Sequence, residues 1–258
     1  MRVLVVTAVA AEADSVAAGL AGYGPAETAG RPLTGGRTLT RRTRGPLHGA
    51  PPVPGGASGT AGGLVDVVAA GVGPAAAAVG TTSALAATPH PYDLVVSAGI
   101  GGGFAPHAPL GAVVVSDAIV AADLGADTPD GHLSVEELGF GRSVHLPPAG
   151  LPGRIAAVLR EGEQRHLVAP VLTVSTATGT AARTAELTAR HPRAGAEAME
   201  GFGVAEAATA HGVPVVEIRA VSNAVGPRDR AAWRIGRAMD SLRYSFELLS
   251  STVFVEDL

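Results

Sequence analysis

The chain contains no cysteine, which excludes disulfides, thiolate catalysis and cysteine-ligated zinc. It contains no lysine either: all 19 basic residues are arginine. That removes the Schiff-base lysine of pyridoxal enzymes and the lysine of a P-loop. Only 16% of residues are charged, and the net charge of −4 offers no basic surface for nucleic acid or anionic lipid. No stretch is long and apolar enough to span a bilayer. The 8 histidines are never paired at helical ligand spacing, so no catalytic metal is expected. Asp127, Asp130 and His132 stand close together, but in a Pro/Gly turn that reads as loop.

Residues 3–11 form an apolar run behind a single arginine, a weak mimic of a signal peptide. Glu12 and Asp14 interrupt it where a cleavage site would begin, so a buried first strand explains it better. A cytoplasmic protein is expected.

What remains is a chain of 258 residues, 47% hydrophobic, ample for one large domain over 1–258. Short β-branched runs recur at 3–6, 64–68, 94–96, 113–115, 171–174 and 213–221. They are apolar on both faces, which predicts strands sandwiched between layers. Alanine-rich segments of helical length lie at 10–21, 75–87, 151–161, 181–190 and 200–211. A closing helix is expected from about 229 to 250, carrying Trp233, Ile235, Leu242, Phe246 and Leu249. The alternation predicts an α/β fold: a twisted mixed, largely parallel sheet flanked by helices in a three-layer sandwich. Residues at about 30–63 are crowded with Gly, Pro, Thr and Arg and read as a hairpin with a mobile tip. The arginines there read as a solvated loop before they read as a phosphate site. No internal repeat is present.

Gly71-Val72-Gly73 and Gly99-Ile100-Gly101-Gly102-Gly103 each follow a strand. The second invites a dinucleotide, but prolines and another strand follow it instead of a helix. What survives is either close ligand approach or a plain tight turn. Glu12 and Glu200 each open a helix, where acids are favoured electrostatically whether or not they catalyse. The strand 213–221 runs into Arg219-Ala220-Val221-Ser222-Asn223, polar groups arriving where α/β sheets bind ligands.

In order and spacing these pieces resemble the purine nucleoside phosphorylase and nucleosidase superfamily over nearly the whole chain. The carriers are Val5-Val6-Thr7-Ala8-Val9-Ala10-Ala11-Glu12, Gly71-Val72-Gly73, Ser97-Ala98-Gly99-Ile100-Gly101-Gly102-Gly103, Leu110-Gly111-Ala112-Val113-Val114-Val115-Ser116-Asp117, Met199-Glu200-Gly201 and the Arg219–Asn223 run. Within it the chain looks most like the futalosine hydrolases of menaquinone biosynthesis, through residues 121–128, 176–180 and 223–229.

The resemblance implies a role for each matching residue. Glu200 accepts both ribose hydroxyls, two acceptor oxygens meeting two donors, and Met199 walls the sugar. Glu12 holds the attacking water, and Asn223 faces the purine. The turn residue that would be serine in a phosphorylase is Ile100, and Glu12 repels phosphate, so water is the expected nucleophile. Methylthioadenosine nucleosidases carry an aspartic acid where this chain has Asn223. An amide offers donor and acceptor to a 6-oxopurine, and a mismatched edge costs about 1–3 kcal/mol.

The expected catalytic set is Glu12, Glu200 and Asn223. The expected substrate lining is Gly73, Ile100, Gly101, Phe104, Thr178, Met199, Arg219 and Ser222. For Phe104, Thr176 and Thr178, packing is an equal alternative. Arg219 orients Glu12 or a neighbour, and Arg228 pairs either with a substrate carboxylate or with a surface acid. The implied enzyme is an N-glycosyl hydrolase, a cofactor-free homo-oligomer acting on a small purine nucleoside. Its rival in class is a methylthioadenosine/adenosylhomocysteine nucleosidase; its rival in kind is a silent nucleoside-binding module.

Overall fold

The computed structural model describes residues 1–24, 26–44 and 63–256, with backbone alone for 26–31. The first strand, β1 (Arg2–Thr7), feeds α1 (Ala10–Gly19). A pair at the edge, β2 (Ala26–Pro32) and β3 (Thr38–Thr43), leads to β4 (Leu64–Ala69) and α2 (Pro74–Ala86). The long strands β5 (Leu94–Gly103) and β6 (Val113–Ala121) follow, then a small hairpin, β7 (Gly125–Thr128) with β8 (Gly131–Ser134). Next come β9 (Val144–His145), α3 (Leu151–Glu161), β10 (His166–Thr173), α4 (Ala181–Arg190) and β11 (Ala196–Ala198). The chain closes with α5 (Gly201–Ala210), β12 (Val215–Ala224) and α6 (Ile235–Ser250).

The strands at the heart of the sheet are apolar at every position because both faces are covered. On β1, Val3 and Val5 point into a core shared with Val16, Ile155, Leu242 and Phe246 of α1, α3 and α6. Leu4 and Val6 point the other way, against Ala77, Ala84, Val204 and Ala208 of α2 and α5. The helices over this part of the sheet therefore lie on both faces, as the runs predict.

The expectation of a simple sandwich needs correcting. Strand order is β11-β10-β6-β12-β5-β1-β4-β3-β2, and β11 also pairs with β5, closing five strands into a ring. The sheet is mixed as expected: β1–β4, β1–β5, β10–β11, β10–β6 and β12–β5 are parallel, and β11–β5, β12–β6, β2–β3, β3–β4 and β6–β9 are antiparallel. A ring of so few strands has little interior, and residues such as Ala108, Ala169, Ala196 and Ala198 pack there.

The glycine run at 99–103 is also not a turn. It is the second half of β5, which pairs with β1 from Leu94 to Ser97, then leaves it and pairs with β11 at Gly102 and Gly103. Glycine allows the bend from open sheet to ring.

Two further boundaries differ. Strand β12 continues through Asn223 to Ala224. The closing helix starts at Ile235, with Trp233 before it and a short 3-10 turn at Arg230–Ala232. Of the segment at about 30–63, residues 45–62 lie outside the described residues. The rest contributes edge strands, with Leu33 and Leu39 in the core and Arg41 paired to Asp66. Among the described residues no helix is long and apolar enough to cross a membrane.

Candidate active site

Strands β1, β4, β5 and β12 run parallel, so their carboxyl ends gather on one edge. Ala70 N–H donates to Thr7 O (2.8 Å) and Gly71 N–H to Ala8 O (3.0 Å), which locks the β4 exit beside the β1 exit. In α/β sheets, ligands bind outside the carboxyl ends of the parallel strands.

Glu12 is the third residue of α1 and only 3% exposed. Ala8 and Val9 N–H donate to its Oε2 at 3.0 and 3.3 Å, capping the helix start. Ile100 N–H donates to its Oε1 at 2.9 Å. That N–H lies past the point where β5 parts from β1, and Glu12 satisfies it. Glycine at 99 is required here for space. A Cβ at residue 99 would sit 2.5 Å from Glu12 Oε1 and 2.6 Å from Arg219 Nη1.

Glu200 immediately precedes α5, and α5 meets α2 where Gly203 abuts Pro74. This contact brings Gly73 N–H to Glu200 Oε1 at 3.2 Å. Gly73 itself has φ +89°, a conformation that favours glycine. Arg219 Nη2 stands 3.2 Å from Glu200 Oε2, so the neighbour that Arg219 orients directly is Glu200.

One participant was not foreseen. Glu217 is fully buried, and its Oε1 accepts from Arg219 Nε at 2.8 Å while its Oε2 has no partner among the described residues. Burial pushes the Glu217 carboxyl above its ordinary value, with Arg219 pulling against it. Burial also opposes charge on Arg219, but Glu217, Glu200 and Glu12 outweigh it and hold the guanidinium charged. The signal for Glu217 was present: a carboxylate in an apolar strand, two residues before Arg219 and therefore on the same face.

The residues expected to meet the base form a second group. Ser222 Oγ lies 2.8 Å from Asn223 Oδ1 and 3.2 Å from Gly101 O, and Asn223 Nδ2 donates to Ala224 O at 3.0 Å. Flipping the Asn223 amide would set its oxygen against the Ala224 carbonyl, so these contacts orient it. One N–H and one lone pair remain free. Thr178 is tied to Glu197, its N–H donating to Oε1 at 2.8 Å, and Glu197 stands opposite Gly102 in the β11–β5 pair. Burial raises the Glu197 carboxyl despite the Thr178 hydrogen bonds.

The structure thus links Glu12, Ile100, Gly73, Glu200 and Arg219 directly, and joins Gly101, Ser222 and Asn223 beside them. Met199, half-buried, immediately precedes Glu200. Phe104 stands apart in a core cluster with Val120, Leu172, Leu187 and Val225, and Thr176 is exposed. His132 and Asp127 approach to 3.7 Å on the β7–β8 hairpin, and no metal-holding group of acids and histidines occurs among the described residues.

A family model described as the phosphorylase superfamily matches residues 55–243. A futalosine hydrolase of Streptomyces coelicolor is 56% identical over 245 residues, 94% of this chain and 92% of the relative. The native structure of a Helicobacter pylori futalosine hydrolase superposes with a TM-score of 0.75 at 17% identity, covering 98% of this chain and 97% of that one. A Colwellia psychrerythraea 5′-methylthioadenosine/S-adenosylhomocysteine nucleosidase in complex with adenine also gives 0.75, at 20% identity over 99% and 96% of the two chains. At such identities the two structures share the fold with this chain.

Proposed function

The chain belongs to the phosphorylase superfamily and, within it, to the futalosine hydrolases, and from that premise we propose that it hydrolyses the N-glycosidic bond of futalosine. The products are hypoxanthine and dehypoxanthine futalosine, in a cytoplasmic step of menaquinone biosynthesis carried out by a cofactor-free homo-oligomer. The observation that carries the reading is the convergence of Glu12, Glu200 and Glu217 on the single guanidinium of Arg219.

Each oxygen of Glu200 makes one contact within the protein, leaving a lone pair for a ribose hydroxyl. Glu12, fixed by three N–H donors, accepts a proton of the attacking water and aims its oxygen at C1′. As the bond to the base stretches, positive charge grows on the ribose. An excess of carboxylate over guanidinium stabilises it. Arg219, whose charge would suit a phosphate, is spent on Glu217 and Glu200. Water therefore remains the nucleophile. Its hydroxyl ends on C1′ and its proton passes to Glu12. Glu12 passes that proton to solvent while N7 of the departing base takes one up from solvent; the free N–H of Asn223 donates to the 6-oxo group, and its carbonyl accepts from the resulting N7–H.

Incubation with futalosine, inosine and methylthioadenosine, with and without phosphate, tests this. Hypoxanthine should leave futalosine at a rate independent of phosphate. Adenine released preferentially from methylthioadenosine would replace the reading with its rival, and tight binding without release would mean a silent module.

A further inference from the structure

The segment after Asn223 leaves the sheet and returns to it at nearly the same place. Val225 N–H donates to Gly103 O at 2.9 Å on departure, and Arg234 N–H donates to Ser222 O at 2.8 Å on return. Residues 226–233 are therefore an excursion rooted at both ends beside the amide that faces the base. Its backbone is braced: Asp229 Oδ1 accepts from Ala231 N–H at 3.1 Å, and Arg234 Nη1 donates to the carbonyls of Ala231 and Trp233, each at 2.9 Å.

The excursion carries the chain's single tryptophan, Trp233. The guanidinium carbons of Arg228 and Arg230 lie over its indole, 5.6 and 5.7 Å from the ring centre. Both arginines are exposed. Among the described residues neither forms an ion pair or a side-chain hydrogen bond. Other surface arginines do: Arg193 reaches Asp117 at 2.9 Å and Arg243 reaches Glu247 at 3.7 Å. The indole face offsets part of the repulsion between the two cations, yet leaves their N–H edges without an acceptor. An aromatic plane edged by two unspent guanidinium forks suits an aryl carboxylate, whose ring stacks and whose oxygens take paired N–H donors.

We propose that Arg228, Arg230 and Trp233 form the subsite for the carboxyphenyl arm of the substrate, selecting that nucleoside over plain inosine. The inference rests on the proposed function for its choice of substrate. It assigns Asn223 to the base and this excursion, rooted beside it, to the aryl carboxylate.

The lone tryptophan provides the readout. In a Glu12→Gln background, which suppresses turnover, futalosine should quench Trp233 emission saturably while inosine leaves it nearly unchanged. Replacing both arginines (Arg228→Met with Arg230→Met) should weaken futalosine binding about tenfold, and raised salt should shrink that difference, because exposed charges are screened. Futalosine bound by equilibrium dialysis with unaltered emission would overturn the subsite, as would equal weakening for inosine. The two readings separate cleanly. Hypoxanthine release without a tryptophan response keeps the hydrolysis and removes the subsite; a tryptophan response without release does the reverse.

Discussion

Two clusters in this chain are built on fully buried carboxylates and differ in balance. On β4 Asp66 is fully buried, and Arg41 of β3 meets it with two hydrogen bonds of 2.9 and 2.7 Å. Tyr92 O–H adds a third at 2.5 Å. One carboxylate faces one guanidinium, and the set is closed. At the carboxyl ends of the central strands, three carboxylates surround Arg219, and an oxygen of Glu217 has no partner among the described residues. Burial of charge is costly and is offset by pairing. A cluster that serves only the fold has reason to close, while one that leaves acceptors unspent is poised for a ligand. Depth of burial alone would have marked both as sites; the count of opposing charges separates them.

The largest test removes a charge from the open cluster. Glu12→Gln should lower kcat by about a thousandfold in a chain that still melts cooperatively; undiminished release of base would remove Glu12 from its role. Asp66→Asn should do the opposite, lowering unfolding free energy by about 2 kcal/mol because Arg41 loses its ion and is only partly screened. Its kcat should stay near that of the parent below the melting range, and a large kcat loss would abolish the contrast.

Glu217→Gln lies between them. The amide oxygen can still accept from Arg219 while the charge is gone, so kcat/KM should fall about tenfold and Tm should hold or rise. A fall in Tm with unaltered kcat/KM would reduce Glu217 to packing. The smallest effect concerns Glu197, whose folded carboxyl keeps its proton to higher pH than the unfolded chain. The stability linked to that proton is full below the ordinary value of 4.5 and is lost as pH rises through the raised one. Glu197→Gln should therefore gain roughly 2 °C in Tm on its parent between pH 4 and neutrality; parallel curves would contradict it.

The strands and helices legible in the sequence are those whose periodicity is local. The run at 3–6 and the helices at 151–161 and 181–190 appear as expected. The glycines at 99–103 misled, because glycine reads as a turn when its neighbours in space are unknown. Here they lie in a paired strand, and the missing Cβ at Gly99 makes room for Glu12 and Arg219. Likewise β11, three residues long, carries too little pattern to announce itself, yet it closes the ring. Glu12, Glu200, Arg219 and Asn223 could be singled out because short motifs hold their order. Glu217 belongs to none of those motifs, and its role depends on a guanidinium that only folding places against it.

By itself the sequence determined the chemistry on offer: no thiol, no amine, two carboxylates at helix starts, and an amide at the end of a buried strand. It determined the layered α/β plan too, since apolar strands must be covered on both faces. Tertiary structure alone decided how those groups balance. Where β5 parts from β1, an unpaired N–H meets Glu12; where α5 abuts α2, Gly73 meets Glu200; and one arginine is left facing three acids. Such balances depend on distances between residues far apart in the chain, which composition and spacing do not contain.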